Sequence, residues 1–337
     1  TVTNDGYGYI NGPELVITGD GSGATATVTV ETSFNDGLDG DPVTSGDMNL
    51  GLDVFAQDSI PADLLFFVPI GTDEEALTTV VHALTIAENR KDTVVFVSPP
   101  LNKTIPTVDL NGIVTYFENI ISTSYAVFDS TALRVYDKYN DLFVDIPASG
   151  HMAGICANTD LIAEPWYSPA GLNRGQFRGI VKIHFNPTKG DRDTLYSNRI
   201  NPIVTFPGEG TYLYGDKTAL SKPSAFDRIN VRRLFIYLRK TIGGIARQTL
   251  FEFNDEFTRS QFTALADSAL SRVQASRGVV DYRIVADETN NTGDIIDSNE
   301  FIADVYVKPN RSINYITLNL VATRSSIELS ELTGREF

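Results

Sequence analysis

The chain has 337 residues, 42% of them hydrophobic, with a formal net charge of −16 and a single cysteine. It is long enough for more than one core, and its composition is that of ordinary globular domains; one cysteine excludes an internal disulfide framework and a cysteine-based zinc site. No run approaches the roughly 18 uninterrupted apolar residues of a membrane helix, and no signal-peptide pattern opens the sequence, so the expectation is a soluble chain without membrane insertion.

The acidity lies at the front. Residues 1–89 hold 15 of the 43 Asp and Glu and no Lys or Arg, while the remainder carries 28 acids against all 27 bases. Such a surface repels a phosphate backbone, which argues against direct nucleic-acid contact. Residues 7–31 read as short strands, with Thr/Val alternation at 24–30 after a glycine cluster at 19–23, and residues 33–45 read as a linker. Asn35, Asp39 and Asp41 gather oxygen ligands around glycine turns, but the EF-hand order with its closing Glu is absent. Solubilising surface charge is the expected role.

The pattern changes after Pro61. An apolar run at 64–68, an amphipathic helix at 73–90 and a second apolar run at 93–97 make a strand, helix, strand unit with parallel pairing and a right-handed crossover. A helix follows at 107–121, opened by Asp109, then strands at 125–128 and 133–136 and a helix at 149–163. Residues 46–163 therefore form an α/β layer structure. Cys156 sits in a small-residue apolar stretch and reads as a buried small hydrophobe rather than a nucleophile. His82, His151 and His184 are too widely separated to suggest a metal cluster.

From residue 164 the chain is loop-rich, with a strand at 179–185 and a turn-rich passage through Pro202, Pro207 and Gly215. A helix from 225 is expected to stop at Gly243-Gly244, where glycine suits a helix C-terminus. A helix at 258–276 and strands at 279–286, 301–308 and 313–322 follow. The expected fold is an α/β core with a mixed sheet over 46–163, a C-terminal α+β region over 164–310, a small N-terminal β-module with its linker over 1–45, and an extended C-terminal arm over 311–337.

Little in the sequence demands catalysis. Residues 207–218 run Pro-Gly-Glu-Gly-Thr-Tyr-Leu-Tyr-Gly-Asp-Lys-Thr and approach a phosphate-binding loop. That chemistry needs the lysine directly after the second glycine, and here Asp216 intervenes before Lys217. A structural turn is the expectation, with a nucleotide-binding α/β enzyme using the Gly210 to Thr218 loop as the alternative. Residues 287–294, rich in carboxylates and amides, read as a solvated loop with Asx turns. The expectation is no enzyme, no cofactor and no metal.

A run without acids stands apart: Arg228, Arg232, Arg233, Arg239, Lys240 and Arg247 are interleaved with Ile229, Val231, Leu234, Phe235, Tyr237 and Leu238. Such a helix buries one face and presents cations on the other, either as a docking face or paired with acids elsewhere in the fold.

Residues 226–238, 251–259, 287–293 and 302–316 together resemble the tail sheath proteins of contractile-tailed bacteriophages, nearest to the T-even-type branch. Residues 168–175 and 201–218 look like that family's two glycine-rich loops. The resemblance covers about residues 46–330. It implies a helical sheath around an inner tube that shortens and widens to drive the tube through the host envelope, in a virion assembled in the host cytoplasm. Implied partners are other copies of the chain, the tail tube protein, and baseplate and tail terminator proteins. Bacterial contractile injection devices are the related alternative. In that family extended arms add strands to neighbouring subunits. The expected donated strand here is 313–322, with Ile313, Tyr315, Ile316, Leu318 and Leu320 as its candidate residues. The six basic residues are then expected to face the tube or an adjacent subunit.

Overall fold

The computed structural model describes residues 42–57 and 59–314. The chain divides into two units between residues 43 and 44, and the elements below belong to the second. The strands expected over residues 7–31 and the oxygen cluster of Asn35, Asp39 and Asp41 lie outside the described residues. So do the arm positions Tyr315, Ile316, Leu318 and Leu320.

The first elements are set by local caps. Helix α1 (Ser45–Asp53) opens on a reciprocal box in which the Thr44 hydroxyl accepts from the Asp47 N–H and the Asp47 carboxylate accepts from the Thr44 N–H. Strand β1 (Leu64–Phe66), helix α2 (Asp73–Arg90) and strand β2 (Val94–Val97) form the expected parallel unit. Thr72 and Glu75 cap α2 in the same way, and Asp73, Glu74 and Glu75 sit at the positive end of its dipole. Helix α3 (Leu110–Glu118) is capped by Asp109, and strand β3 (Ala126–Asp129) follows.

Strands β4 (Ala132–Asp137) and β5 (Leu142–Pro147) form an antiparallel hairpin, and after helix α4 (Ser149–Ile162) strand β6 (Ile180–Ile183) joins its other side. Helix α5 (Lys189–Ser197) leads into strand β7 (Ile200–Asn201), which pairs with β3. Strands β8 (Ile203–Phe206) and β9 (Gly210–Leu213) make a second hairpin within the passage that reads as turn-rich.

The central sheet, in the order β1-β2-β3-β7, is parallel throughout rather than mixed. Among the described residues antiparallel pairing is confined to separate small sheets, in the hairpins β4–β5 and β8–β9 and in longer-range pairs such as β4–β6. Both faces of this sheet are buried. Val95, Val97, Ala126 and Phe128 pack with α2 and α3, and Val94, Phe96 and Val127 pack with α4. That burial explains the continuous apolar runs of its strands.

The C-terminal layer comprises helix α6 (Ile229–Gln248), helix α7 (Glu256–Ala275), strand β10 (Val279–Val285), helix α8 (Gly293–Asp297) and strand β11 (Asp304–Pro309). Helix α6 is its link to the body: Ile229 and Ile236 pack with α4, Leu234 and Leu238 with Trp166 and Leu270, and Ile242 and Ile245 with Phe262. This helix runs through Gly243-Gly244 and ends at Gln248, five residues beyond the expected stop at 243. The apolar contacts of Ile242, Ile245 and Ala246 on either side of the glycines hold the extra turn, so tertiary packing overrides the local signal.

Candidate intersubunit surface

Four of the six basic residues are engaged within the subunit. Arg233 is buried, and its guanidinium donates to the Asp160 carboxylate and to the Cys156 carbonyl. Arg232 lies between the rings of Tyr125 and Phe226, 4.2 Å from each centroid, and donates to the Tyr125 and Ser124 hydroxyls. Arg228 donates to the Tyr196 hydroxyl and to Asp216, and Lys240 pairs with Asp63. Arg239 and Arg247 are exposed, with no ion pair among the described residues. The acid-free run thus finds its acids on distant segments, which sequence spacing does not reveal.

Beyond Arg247 the corner between α6 and α7 is apolar and exposed: Leu250, Phe251, Phe253 and Phe257 all face solvent, Phe251 in the left-handed region at φ 70°. In the sequence the three phenylalanines stand out only as part of the family-like stretch at 251–259. Large apolar side chains gathered around a tight corner form the kind of patch that marks an interaction surface.

Strands β10 and β11 pair antiparallel as a sheet of two strands. The register shifts between Val279 and Asp281, and this bulge lets Val279, Tyr282 and Ile284 all pack inward. With Val305 and Val307 they cover α6 and α7, while Val280 and Tyr306 are exposed on the other face. Among the described residues no third strand pairs with either edge.

The two glycine-rich loops meet. The Gly171 N–H donates to the Leu213 carbonyl at 2.9 Å, and the Leu213 N–H donates to the Gly175 carbonyl at 2.8 Å. Gly210 to Leu213 is a hairpin strand rather than a loop opening a helix, so the backbone cradle of a phosphate site is not formed there. The Lys217 ammonium donates to the Tyr196 carbonyl at 2.6 Å and lies 4.1 Å from that ring's centroid, its pKa lowered by burial. Asp216 is 3% exposed and sits at the centre of a polar cluster. Its carboxylate accepts from Ser168, Tyr196 and Arg228 and, at the root of the arm, from Ser312 and Asn314. Burial, then the Asp216 charge, pushes the Tyr196 phenol up to about 12. Gly215 is required beside this cluster, since an added Cβ would lie 2.8 Å from Asn201 Oδ1.

Ile313 is 83% exposed, and the rest of the expected strand beyond Asn314 lies outside the described residues. Burial pushes the Cys156 thiol up to about 11, which makes it a poor nucleophile. His82 and His184 each contact an aspartate, Asp53 and Asp145, and His151 lines a separate groove with Phe66 and Phe177. In the 287–294 loop Asp287 accepts from Thr289, and the buried Asn291 donates to the Asp287 and Ile302 carbonyls.

Residues 42–219 match the model of the phage tail sheath protein central domain, and residues 221–323 match that of the phage tail sheath C-terminal domain. The chain is 44% identical over 308 residues to the tail sheath protein of Vibrio phage KVP40, covering 86% of this chain and 46% of that one. It is 42% identical over 309 residues to the tail sheath protein of Enterobacteria phage T4, covering 87% and 47%. It therefore spans about half the length of the curated relatives it matches. Among solved structures it is similar to the contracted helical sheath of the anti-feeding prophage, with a TM-score of 0.67 at 18% identity, covering 85% of this chain and 76% of that one. That likeness is one of fold.

Proposed function

Because the chain belongs to the phage tail sheath family, we propose that it is a structural subunit of a helical contractile sheath that surrounds a tail tube and shortens to drive it through a host envelope. The observation that carries this reading is the match to both sheath domain models in order along one chain. Subunits are linked by donated strands. The two-stranded β10–β11 sheet supports this, since its edges offer backbone groups to an added strand and the sequence past residue 314 keeps a strand-like alternation. Arms that hold copies together through backbone hydrogen bonds allow body contacts to be exchanged without loss of connectivity.

Arg239, Arg247 and the apolar corner of Leu250, Phe251, Phe253 and Phe257 form the docking face toward the tube or a neighbouring subunit, since they are the part of this helix pair left exposed. Contraction draws on a metastable lattice relaxing to a better-packed one, without nucleotide hydrolysis; the hairpin geometry of residues 210–213 supports this. A phage sheath is favoured over an injection-device sheath by identities of 44% and 42% to phage proteins against 18% to the anti-feeding prophage. Electron microscopy of the purified protein tests the reading: hollow striated tubes are expected, and discrete particles at every concentration and salt condition would overturn it.

A further inference from the structure

We propose that Asp216 is the anchoring residue of the C-terminal arm, a buried carboxylate that fixes the arm's root to the body and sets where the donated segment leaves the subunit. The proposal rests on the sheath reading for its purpose, and on geometry for its existence. Ser312 and Asn314 lie two residues apart, their side chains are 3.1 Å from each other, and both reach the same carboxylate. The Ser312 hydroxyl donates to Asp216 Oδ2 at 2.6 Å, and Asn314 Nδ2 donates to Oδ1 at 2.7 Å and to the Tyr196 hydroxyl at 2.6 Å. Between them Ile313 points outward.

The body prepares this socket. Ser168 from the first glycine-rich loop, Tyr196 from α5 and Arg228 at the start of α6 all donate to the carboxylate, and the Ile229 N–H donates to the Asp216 carbonyl at 2.8 Å. A carboxylate this buried is costly unless its lone pairs are filled by donors, and two of the five side chains that fill them belong to the arm. The root is thereby tied to three body segments at once. When neighbouring bodies move, the pull carried by a donated strand enters the subunit here, at a charge-assisted cluster rather than through a free linker. Asp216, the residue that spoils a phosphate-loop reading of the sequence, is the one the arm requires.

The test uses the full chain, unassembled, and follows tryptic cleavage after the exposed Arg311 by mass spectrometry. Replacing both contacts (Ser312→Ala with Asn314→Ala) is expected to speed that cleavage by about tenfold or more, with the body still folded at the temperature of the digest. Ser312→Thr, which keeps the hydroxyl, is expected to be cleaved at the wild-type rate. Asp216→Asn, which also disturbs the bonds from Ser168, Tyr196 and Arg228, is expected to speed cleavage likewise and to lower the thermal midpoint of the body; should it fail to fold, the double variant decides. Cleavage of the double variant at the wild-type rate overturns the anchor. Faster cleavage with an unchanged yield of striated tubes overturns its positioning role. If the wild-type chain forms no tubes, the sheath reading fails, and the anchor is judged on cleavage alone.

Discussion

Arg233 and Arg247 look alike in sequence, and burial separates them. Removing the buried Arg233 guanidinium leaves the Cys156 carbonyl without its donor and Asp160 without its counter-ion, so Arg233→Ala is expected to cost about 2–3 kcal/mol of stability by urea denaturation. Arg239→Ala and Arg247→Ala are expected to change stability by less than about 0.5 kcal/mol, yet to lower the yield of assembled tubes, since both are exposed and unpaired among the described residues. Asp129 is another residue whose role burial decides. Its carboxyl, fully enclosed at the end of β3 and hydrogen-bonded to Ser98, is pushed up from 3.8 to about 8 by burial. Because the folded value is raised, its contribution to stability is fully present below about pH 4 and is lost as pH rises toward 8. Thermal midpoints of wild type and Asp129→Asn, compared from about pH 5 to 8, are therefore expected to diverge, with the wild type losing more as pH rises. Parallel curves would refute it.

At the scale of elements, local chemistry suffices where caps and periodicity agree. Helix α2 spans residues 73–90 as expected, because a capped amphipathic pattern and the flanking apolar strands point the same way. Helices α1 and α5 have no place in the sequence reading, although each is announced by a threonine followed three residues later by an aspartate, Thr44 with Asp47 and Thr188 with Asp191, and each closes a reciprocal cap. Both are short, and neither carries the long amphipathic pattern that makes a helix legible. The opposite mismatch is at Gly243-Gly244, where a local stop signal is outweighed by packing against Phe262 and its neighbours. An added Cβ meets nothing within 4 Å at either glycine. Gly243→Ala and Gly244→Ala are therefore each expected to stabilise the monomer by about 0.5–1 kcal/mol in urea unfolding; destabilisation would mean the space is used.

For the whole molecule, deleting residues 315–337 is expected to leave the body folded with an unchanged thermal midpoint and to abolish striated tubes, because the Asp216 contacts to Ser312 and Asn314 are kept while the donated segment is lost. Normal tubes from that truncation would sink strand donation. Periodicity, charge and ordered motifs are local properties of a chain. The succession of parallel strand and helix units, the acidic front, the family resemblance and a strand-like segment after residue 312 are therefore legible without coordinates. Pairing and burial are not local. Which cations are exposed and which are paired, that the central sheet is parallel throughout, and that Asp216 meets the arm's root all emerge only on folding. They depend on distant segments coming together, as Asp216 and Asn314 do across 98 residues, and burial then decides what a charged side chain can do.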